Sequence, residues 1–199
     1  LVAIFCLSQA SILVRLSGMP PEALGFWRLL GASLILLTIR SFKNSPAQIT
    51  RSILSSKQWV IPTGIFFYLH LWSYFYAVHN TSIAHCMILF ALNPLFTALG
   101  AWLFFKEPLE KNVIVSYIFA FVGLYFLMQD RHTPDFSSWK GELSALASGI
   151  LYSFYTLLSK RSRQQINNWN FGIGIYFVCS VCFLITTLVR QTALTGYSD

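Results

Sequence analysis

The polar side chains best suited to chemistry lie inside a strongly apolar stretch, residues 58–79. His70 and Tyr74 are four residues apart, so they share one face of a helix, and Trp72 lies beside that face. Polar groups are costly within a bilayer and are therefore informative about function. An imidazole with two aromatic neighbours at this depth either lines a substrate cavity or forms a hydrogen bond with a neighbouring helix.

A second polar stripe follows in the apolar run 83–105. His85, Leu89 and Asn93 are spaced four residues apart, so the stripe is polar at both ends. Pro94 follows in mid-run, where a proline frees a backbone carbonyl and kinks a helix. Kinked helices at the midplane often line transporter substrate sites, although many proline kinks have a structural role only.

A third set of polar residues lies in the run 143–159. Ser144, Ser148, Tyr152 and Tyr155 follow one another at helical spacing. The serines suit either close helix packing, because small side chains admit a neighbouring helix, or one wall of a cavity. We expect the two tyrosines to line the cavity.

Enzyme chemistry is poorly supported by these residues. The sequence has no G-x-S-x-G, H-E-x-x-H or phosphate-binding loop motif, and no carboxylate pair within an apolar run. Cys179 and Cys182 form a lone C-x-x-C that suits apolar packing, so we expect no metal site and no cofactor. All seven acids lie in loops or at helix ends, which leaves His70 and His85 as the groups able to carry a proton at membrane depth.

The composition places these residues in a membrane protein. Of the 199 residues, 55% are hydrophobic and 11% are charged, with a net charge of +7 and a mean hydropathy of +0.59. A soluble domain carries about 25% charged residues. This composition excludes a soluble enzyme, a disordered tail and a nucleic-acid-binding module, because the charges lie between long apolar runs instead of on one soluble face.

Seven runs are long and apolar enough to suggest transmembrane helices, which need about 17–25 residues each. The predicted fold class is therefore an all-α polytopic membrane protein. The runs cover residues 1–16, 23–39, 58–79, 83–105, 112–128, 143–159 and 169–189.

The basic residues set the expected orientation, because cytoplasmic loops are enriched in lysine and arginine. Nine basic residues lie in the connections after the second, fourth and sixth runs, against five on the other side. We therefore expect these three connections and the amino terminus to be cytoplasmic.

The stretch from Leu69 to Met128 resembles the EamA-like branch of the drug/metabolite transporter superfamily. The resemblance is carried by several ordered features of this sequence. These features are His70, Trp72, Thr81-Ser82-Ile83-Ala84, Pro94, Phe96, Glu107 and Gly123. Arg28, upstream of this stretch, also resembles the arginine of the family at that place.

The resemblance implies a ten-helix bundle built as two inverted five-helix repeats around a central cavity. Residues 1–128 would form the first repeat and residues 141–199 the start of the second, so we expect a longer protein. The resemblance also implies structural or gating roles for Arg28, Pro94 and Glu107.

The function predicted from these observations is a secondary transporter of the bacterial inner membrane, not an enzyme. It would move a small organic metabolite, an amino acid or related compound, outward by alternating access. The alternatives are uptake of a larger metabolite such as S-adenosylmethionine, or a non-transporting scaffold or receptor. The expected partners are the substrate, the lipid bilayer and a second copy in a homodimer, with no nucleic acid. The expected cavity residues are His70, Trp72, Tyr74, His85, Asn93, Tyr152 and Tyr155.

Overall fold

A computed structural model describes residues 12, 14, 16–108, 111–129 and 138–195 of the chain. Eight helical segments occupy residues 21–190 of this part, and residues 12, 14 and 16 are also helical. The helices are α1 (Pro21–Ser41), α2 (Pro46–Ser55), α3 (Lys57–Asn80), α4 (Ile83–Ala91), α5 (Asn93–Phe105), α6 (Lys111–Gln129), α7 (Trp139–Ser162) and α8 (Asn168–Arg190).

The all-α prediction is confirmed for the described residues, because each of the last six predicted apolar runs forms helix. The predicted run 1–16 lies almost wholly outside the described residues. Within the described residues, three helical stretches are long and apolar enough to cross a membrane by length and composition, namely Pro21–Ser41, His85–Phe105 and Asn168–Arg190. Asn112–Gly123 is a shorter apolar helix.

The predicted run 83–105 is interrupted at Asn93 and Pro94. Helix α4 ends at Ala91 and α5 begins at Asn93, with Leu92 between them. Pro94 occupies the first turn of α5, where its missing N–H costs least. The proline therefore starts a new helical segment here.

Helix α2 was not predicted from the sequence, which reads as a polar connection at residues 40–57. Ser45 caps the helix by accepting a hydrogen bond from the Gln48 backbone N–H, and Pro46 opens it. Ile49 is buried, and the helix packs on α8. Ile53 of the same helix also packs on the core, so two isoleucines anchor a helix whose other residues are mostly polar.

The chain forms two compact units, and helices α3 and α7 each contribute to both. The first unit contains Ser73–Ser153 with the described residues up to Gly18. The second contains Met19–Trp72 and Phe154–Asp199.

In the second unit, α1 packs along α8. Gly25 of α1 lies against the Phe183 ring, and Gly64 of α3 lies against Val178; a Cβ at either glycine would come within 2.8 Å of these side chains. Val60, Phe171 and Ile175 form the centre of its apolar core. Small residues therefore allow close helix approach, as is typical of membrane bundles.

In the first unit, Gly141 of α7 packs directly on the backbone of Asn80. A Cβ at Gly141 would lie 2.6 Å from the Asn80 carbonyl oxygen. The carbonyl already accepts a hydrogen bond from the Ser138 N–H at 3.1 Å, so it is held in place.

We predict that Gly141→Ala lowers the stability of the full-length protein by about 1–3 kcal/mol, the usual cost of overpacking. The measurement is the midpoint of thermal unfolding in detergent. Gly31→Ala is the matched control, since no described atom lies within 4 Å of its Cβ position. Equal midpoints for the two variants would show that α7 can move away from the Asn80 backbone without loss of stability.

Candidate functional site

Asn93, at the start of α5, is the centre of a polar network in the first unit. Its side-chain oxygen accepts hydrogen bonds from the Thr97 hydroxyl at 3.1 Å and the Ser153 hydroxyl at 3.0 Å. The same hydroxyls also reach the Asn93 backbone carbonyl, at 3.0 and 3.1 Å. The network fixes the orientation of the amide.

The amide nitrogen of Asn93 has no hydrogen-bond partner within the described part of the chain. The residue is partly exposed, so its two N–H donors are accessible to a ligand. An amide offers two donors and one acceptor, and here the acceptor is already satisfied. In a bilayer, such donors require water or a ligand. Asn93 is therefore the predicted site residue with the clearest capacity to bind a ligand.

An aromatic series lies in the same unit and contains two of the predicted site residues. Phe90 contacts the Tyr152 ring edge-on, with 5.5 Å between ring centroids, and the Tyr74 ring at 6.1 Å. Phe90 precedes Asn93 by three residues across the helix break, and Tyr152 is adjacent to Ser153. Because aromatic faces pack against apolar groups and against cations, this series can bind a substrate that is only partly polar.

His85 is paired with an acid in the first unit. Its Nδ1 donates a hydrogen bond to Glu142 Oε1 at 3.2 Å, and both side chains are partly buried. His85 follows the α4 cap, where Ser82 accepts from the His85 backbone N–H, and Glu142 lies in the first turn of α7. The carboxylate can only accept, so Nδ1 carries the proton in this pair.

The second unit contains a charged cluster that the sequence analysis missed. Glu22 lies in the first turn of α1 and is 2% exposed. Its Oε1 accepts from Arg190 Nη1 at 2.9 Å and from Trp72 Nε1 at 3.4 Å. The Arg190 guanidinium also lies over the Trp72 ring, 5.3 Å from its centroid.

The sequence placed Glu22 among the acids at helix ends but gave no indication that its side chain is buried. Glu22 is at a helix end, as predicted, but it is enclosed, while the Arg190 side chain stays 54% exposed at the carboxyl end of α8. The buried acid thus links α1 and α8 and holds the indole of Trp72, one of the predicted site residues.

The remaining predicted residues of the second unit, His70 and Tyr155, lie in an aromatic cluster around Phe67. His70 is 5% exposed, and its ring centroid lies 6.1 Å from that of Phe67. Phe67 packs on Tyr155 at 4.7 Å and on Tyr176 at 6.0 Å. Tyr155 also lines a cavity of about 220 Å³ in this unit.

The structure therefore divides the predicted site residues into two sets. Tyr74, His85, Asn93 and Tyr152 belong to the first unit, and His70, Trp72 and Tyr155 to the second. The residues predicted to have structural or gating roles are less enclosed. Arg28, Pro94 and Glu107 are exposed. Among the described residues, no group of three histidine, cysteine or acidic side chains could hold a metal ion.

Comparison with known proteins places the sequence in a family. The EamA-like transporter family model matches residues 1–129, about two thirds of the chain. An uncharacterized transporter of Clostridium kluyveri is 25% identical over 118 residues, which cover 57% of this chain and 38% of the relative. An uncharacterized transporter of Archaeoglobus fulgidus is 24% identical over 116 residues, covering 56% and 41%.

The alignments thus span about two fifths of the length of these curated relatives. No solved structure matches the chain. The family match covers the residues on which the predicted resemblance was based and confirms it. It also confirms the classification as a transporter and not an enzyme. The chain belongs to the EamA-like transporter family.

Proposed function

We propose that this chain is part of a secondary transporter that moves a small organic metabolite, an amino acid or related compound, out of the cell by alternating access. The observation that carries the proposal is the Asn93 amide, whose donors have no partner in the described part of the chain. A metabolite carboxylate or carbonyl can accept from both donors at once.

The aromatic residues near Asn93 define the other half of this proposed contact. Tyr74, Phe90 and Tyr152 present ring faces and edges to an apolar or cationic substrate group. His85 is held by Glu142 and would orient a polar group of the substrate. In the second unit, Trp72 and Tyr155 would stack on the substrate or gate its path, and His70 would bind it.

The whole protein would have ten helices in two inverted repeats. Residues 1–128 form the first repeat in this proposal and residues 141–199 begin the second, with the substrate near the midplane between repeats. Arg28, Pro94 and Glu107 keep their proposed structural or gating roles. The protein would lie in the bacterial inner membrane with a cytoplasmic amino terminus, and it would form a homodimer.

Transport by the full-length protein in proteoliposomes tests the proposal. We expect flux of at least one compound from a labelled panel of amino acids, nucleosides and S-adenosylmethionine, measured in both directions, above protein-free liposomes. Net flux from the cytoplasmic side supports efflux, whereas net flux toward it favours uptake. Absence of flux for the whole panel would favour the scaffold or receptor alternative.

Orientation gives a second test, which does not depend on the substrate. Ser55 and Thr195 are both exposed and lie on opposite sides in the proposed topology. With native cysteines replaced, a cysteine at Thr195 should react with an impermeant maleimide on intact cells, whereas one at Ser55 should react only after lysis. The opposite pattern would reverse the topology, because the basic connections would then face outward.

His70 is the proposed proton carrier if transport is coupled to protons. Histidine is the side chain that ordinarily titrates near neutral pH. His70→Gln keeps hydrogen-bonding capacity and removes titration, so we expect substrate binding to persist and the pH dependence of transport to flatten between pH 5 and 8. His79→Gln is the control, since His79 Nδ1 lies 2.8 Å from the Phe75 carbonyl oxygen of its own helix. An unchanged pH profile in His70→Gln would exclude His70 as the carrier; coupling would then lie elsewhere in the full-length protein, or the protein would be a uniporter.

A further inference from the structure

A small cavity in the second unit lies at the carboxyl end of α1 and the amino end of α8. Its volume is about 210 Å³, and it is lined by Ile39, Arg40, Lys43 and Trp169. Two of these four residues are cations. Because a single water molecule needs roughly 10–15 Å³ of such space, the cavity can hold a group much larger than water.

The cations of this cavity have no acidic partner among the residues that the structure describes. The sequence has no aspartate or glutamate between Glu22 and Glu107, or between Glu142 and Asp199. The second unit therefore has Glu22 as its one described acid, and Glu22 is bound to Arg190. Arg40 and Lys43 thus have no carboxylate of their own unit within reach in the described part of the chain.

Arg40 carries a buried donor without a partner. Its Nε has no hydrogen-bond partner among the described residues, although the atom is shielded from solvent. The buried Nε is itself out of reach of a ligand, so binding depends on the rest of the Arg40 side chain, which is partly exposed and lines the cavity. A negatively charged acceptor there would form charge-assisted hydrogen bonds with the guanidinium and balance the local charge.

The surroundings of the cavity suit a lipid. Phe42 is 85% exposed and Trp169 is 46% exposed, beside the partly exposed Ile39. Trp169 also lines the adjacent 220 Å³ cavity, whose walls include Leu36, Phe171 and Ile175. An anionic group held by Arg40 and Lys43 would therefore have apolar surface next to it, where an acyl chain can pack. A tryptophan at a helix end is typical of the headgroup region.

We propose that Arg40, Lys43 and Trp169 form a binding site for the phosphate group of an anionic phospholipid. The guanidinium and ammonium groups bind the phosphate oxygens, and the indole packs against the glycerol and the start of the acyl chains. The site lies on the side with most of the basic residues, where anionic lipids attract juxtamembrane cations. It belongs to the second unit, whereas Asn93 belongs to the first.

Native mass spectrometry of the full-length protein in detergent tests this site. We expect wild-type protein to retain phosphatidylglycerol in preference to phosphatidylcholine. Arg40→Gln/Lys43→Gln should reduce the retained phosphatidylglycerol about tenfold, and Lys43→Gln alone, a change at an exposed residue, should reduce it by a smaller factor. Arg51→Gln/Lys57→Gln removes two charges from the same connection outside the cavity and should retain the lipid.

Three results would overturn the proposal. Equal retention of the two lipids would show that the cavity does not select an anionic headgroup. Equal loss in both double variants would indicate attraction by diffuse charge only. Displacement of phosphatidylglycerol by millimolar inorganic phosphate would show that the cavity takes free phosphate and not lipid.

Discussion

Arg190→Gln should destabilise the protein by about 2 kcal/mol, the scale expected when a buried charged group loses its hydrogen-bonding partner. The Glu22 side chain is 3% exposed, so its carboxylate cannot turn to water when the 2.9 Å contact with Arg190 is removed. The longer contact from Trp72 Nε1, at 3.4 Å, would remain but is too weak to compensate. The measurement is the midpoint of thermal unfolding of the full-length protein in detergent.

The reverse substitution should cost much less. In Glu22→Gln the amide oxygen can still accept from Trp72, no buried charge remains, and the Arg190 side chain is 54% exposed, so its guanidinium reaches water. The double variant Glu22→Gln/Arg190→Gln should therefore be more stable than Arg190→Gln alone. Such recovery is the coupling that a double-mutant cycle measures.

Arg51→Gln is the matched control for this cycle, because it makes the same substitution at an exposed arginine of α2. We expect no measurable change in its unfolding midpoint. A Glu22→Gln variant less stable than Arg190→Gln would contradict the argument, since the cost would then come from the exposed cation and not from the buried acid.

The helices could be predicted from the sequence because hydropathy is a local property. Each apolar run contains enough residues to span a bilayer, so residues 23–39 and 169–189 indicate α1 and α8 without reference to each other. Helix α2 was missed because it is a ten-residue segment rich in polar residues, whose packing rests on Ile49 and the partly buried Ile53. The Ser45-Pro46 pair that caps and opens this helix is a local signal that could have identified it.

The Glu22 cluster could not be predicted in this way. Glu22 and Arg190 are 168 positions apart, and each reads in isolation as a charged residue at a helix end. Their pairing depends on how α1 packs on α8, with Gly25 against Phe183, which no local pattern specifies. A weaker signal was present: both residues lie at helix ends that the orientation argument places on the same side of the membrane.

The Asn93 network could likewise be predicted only in part, because it too depends on a contact between residues far apart in the sequence. The spacing of His85, Leu89 and Asn93 placed the amide on a polar stripe, and Pro94 indicated a break. The partner hydroxyl of Ser153 lies 60 positions away on α7, so only the structure shows that the amide oxygen is satisfied and the nitrogen is accessible. That asymmetry leads to the second prediction.

Asn93→Leu should reduce transport at least tenfold while leaving the fold almost unchanged. The Ser153 hydroxyl keeps the Gly149 carbonyl at 2.9 Å as its acceptor, and the Thr97 hydroxyl keeps the Asn93 backbone carbonyl at 3.0 Å. Neither hydroxyl is left unsatisfied, so we expect less than about 1 kcal/mol of destabilisation. The lost amide donors would instead weaken substrate binding, and a loss of about 1.4 kcal/mol corresponds to a tenfold change in affinity.

Initial rates in proteoliposomes, with the substrate identified by the transport panel, measure this effect together with the unfolding midpoint. Asn112→Leu is the control, because it makes the same change at an exposed residue of α6 and should transport normally. Ser153→Ala removes one of two hydroxyls that orient the amide but keeps its donors, so its loss of transport should be smaller. If Asn93→Leu lowered stability but transported at the wild-type rate, the amide would stabilise the break between α4 and α5 and would not bind substrate.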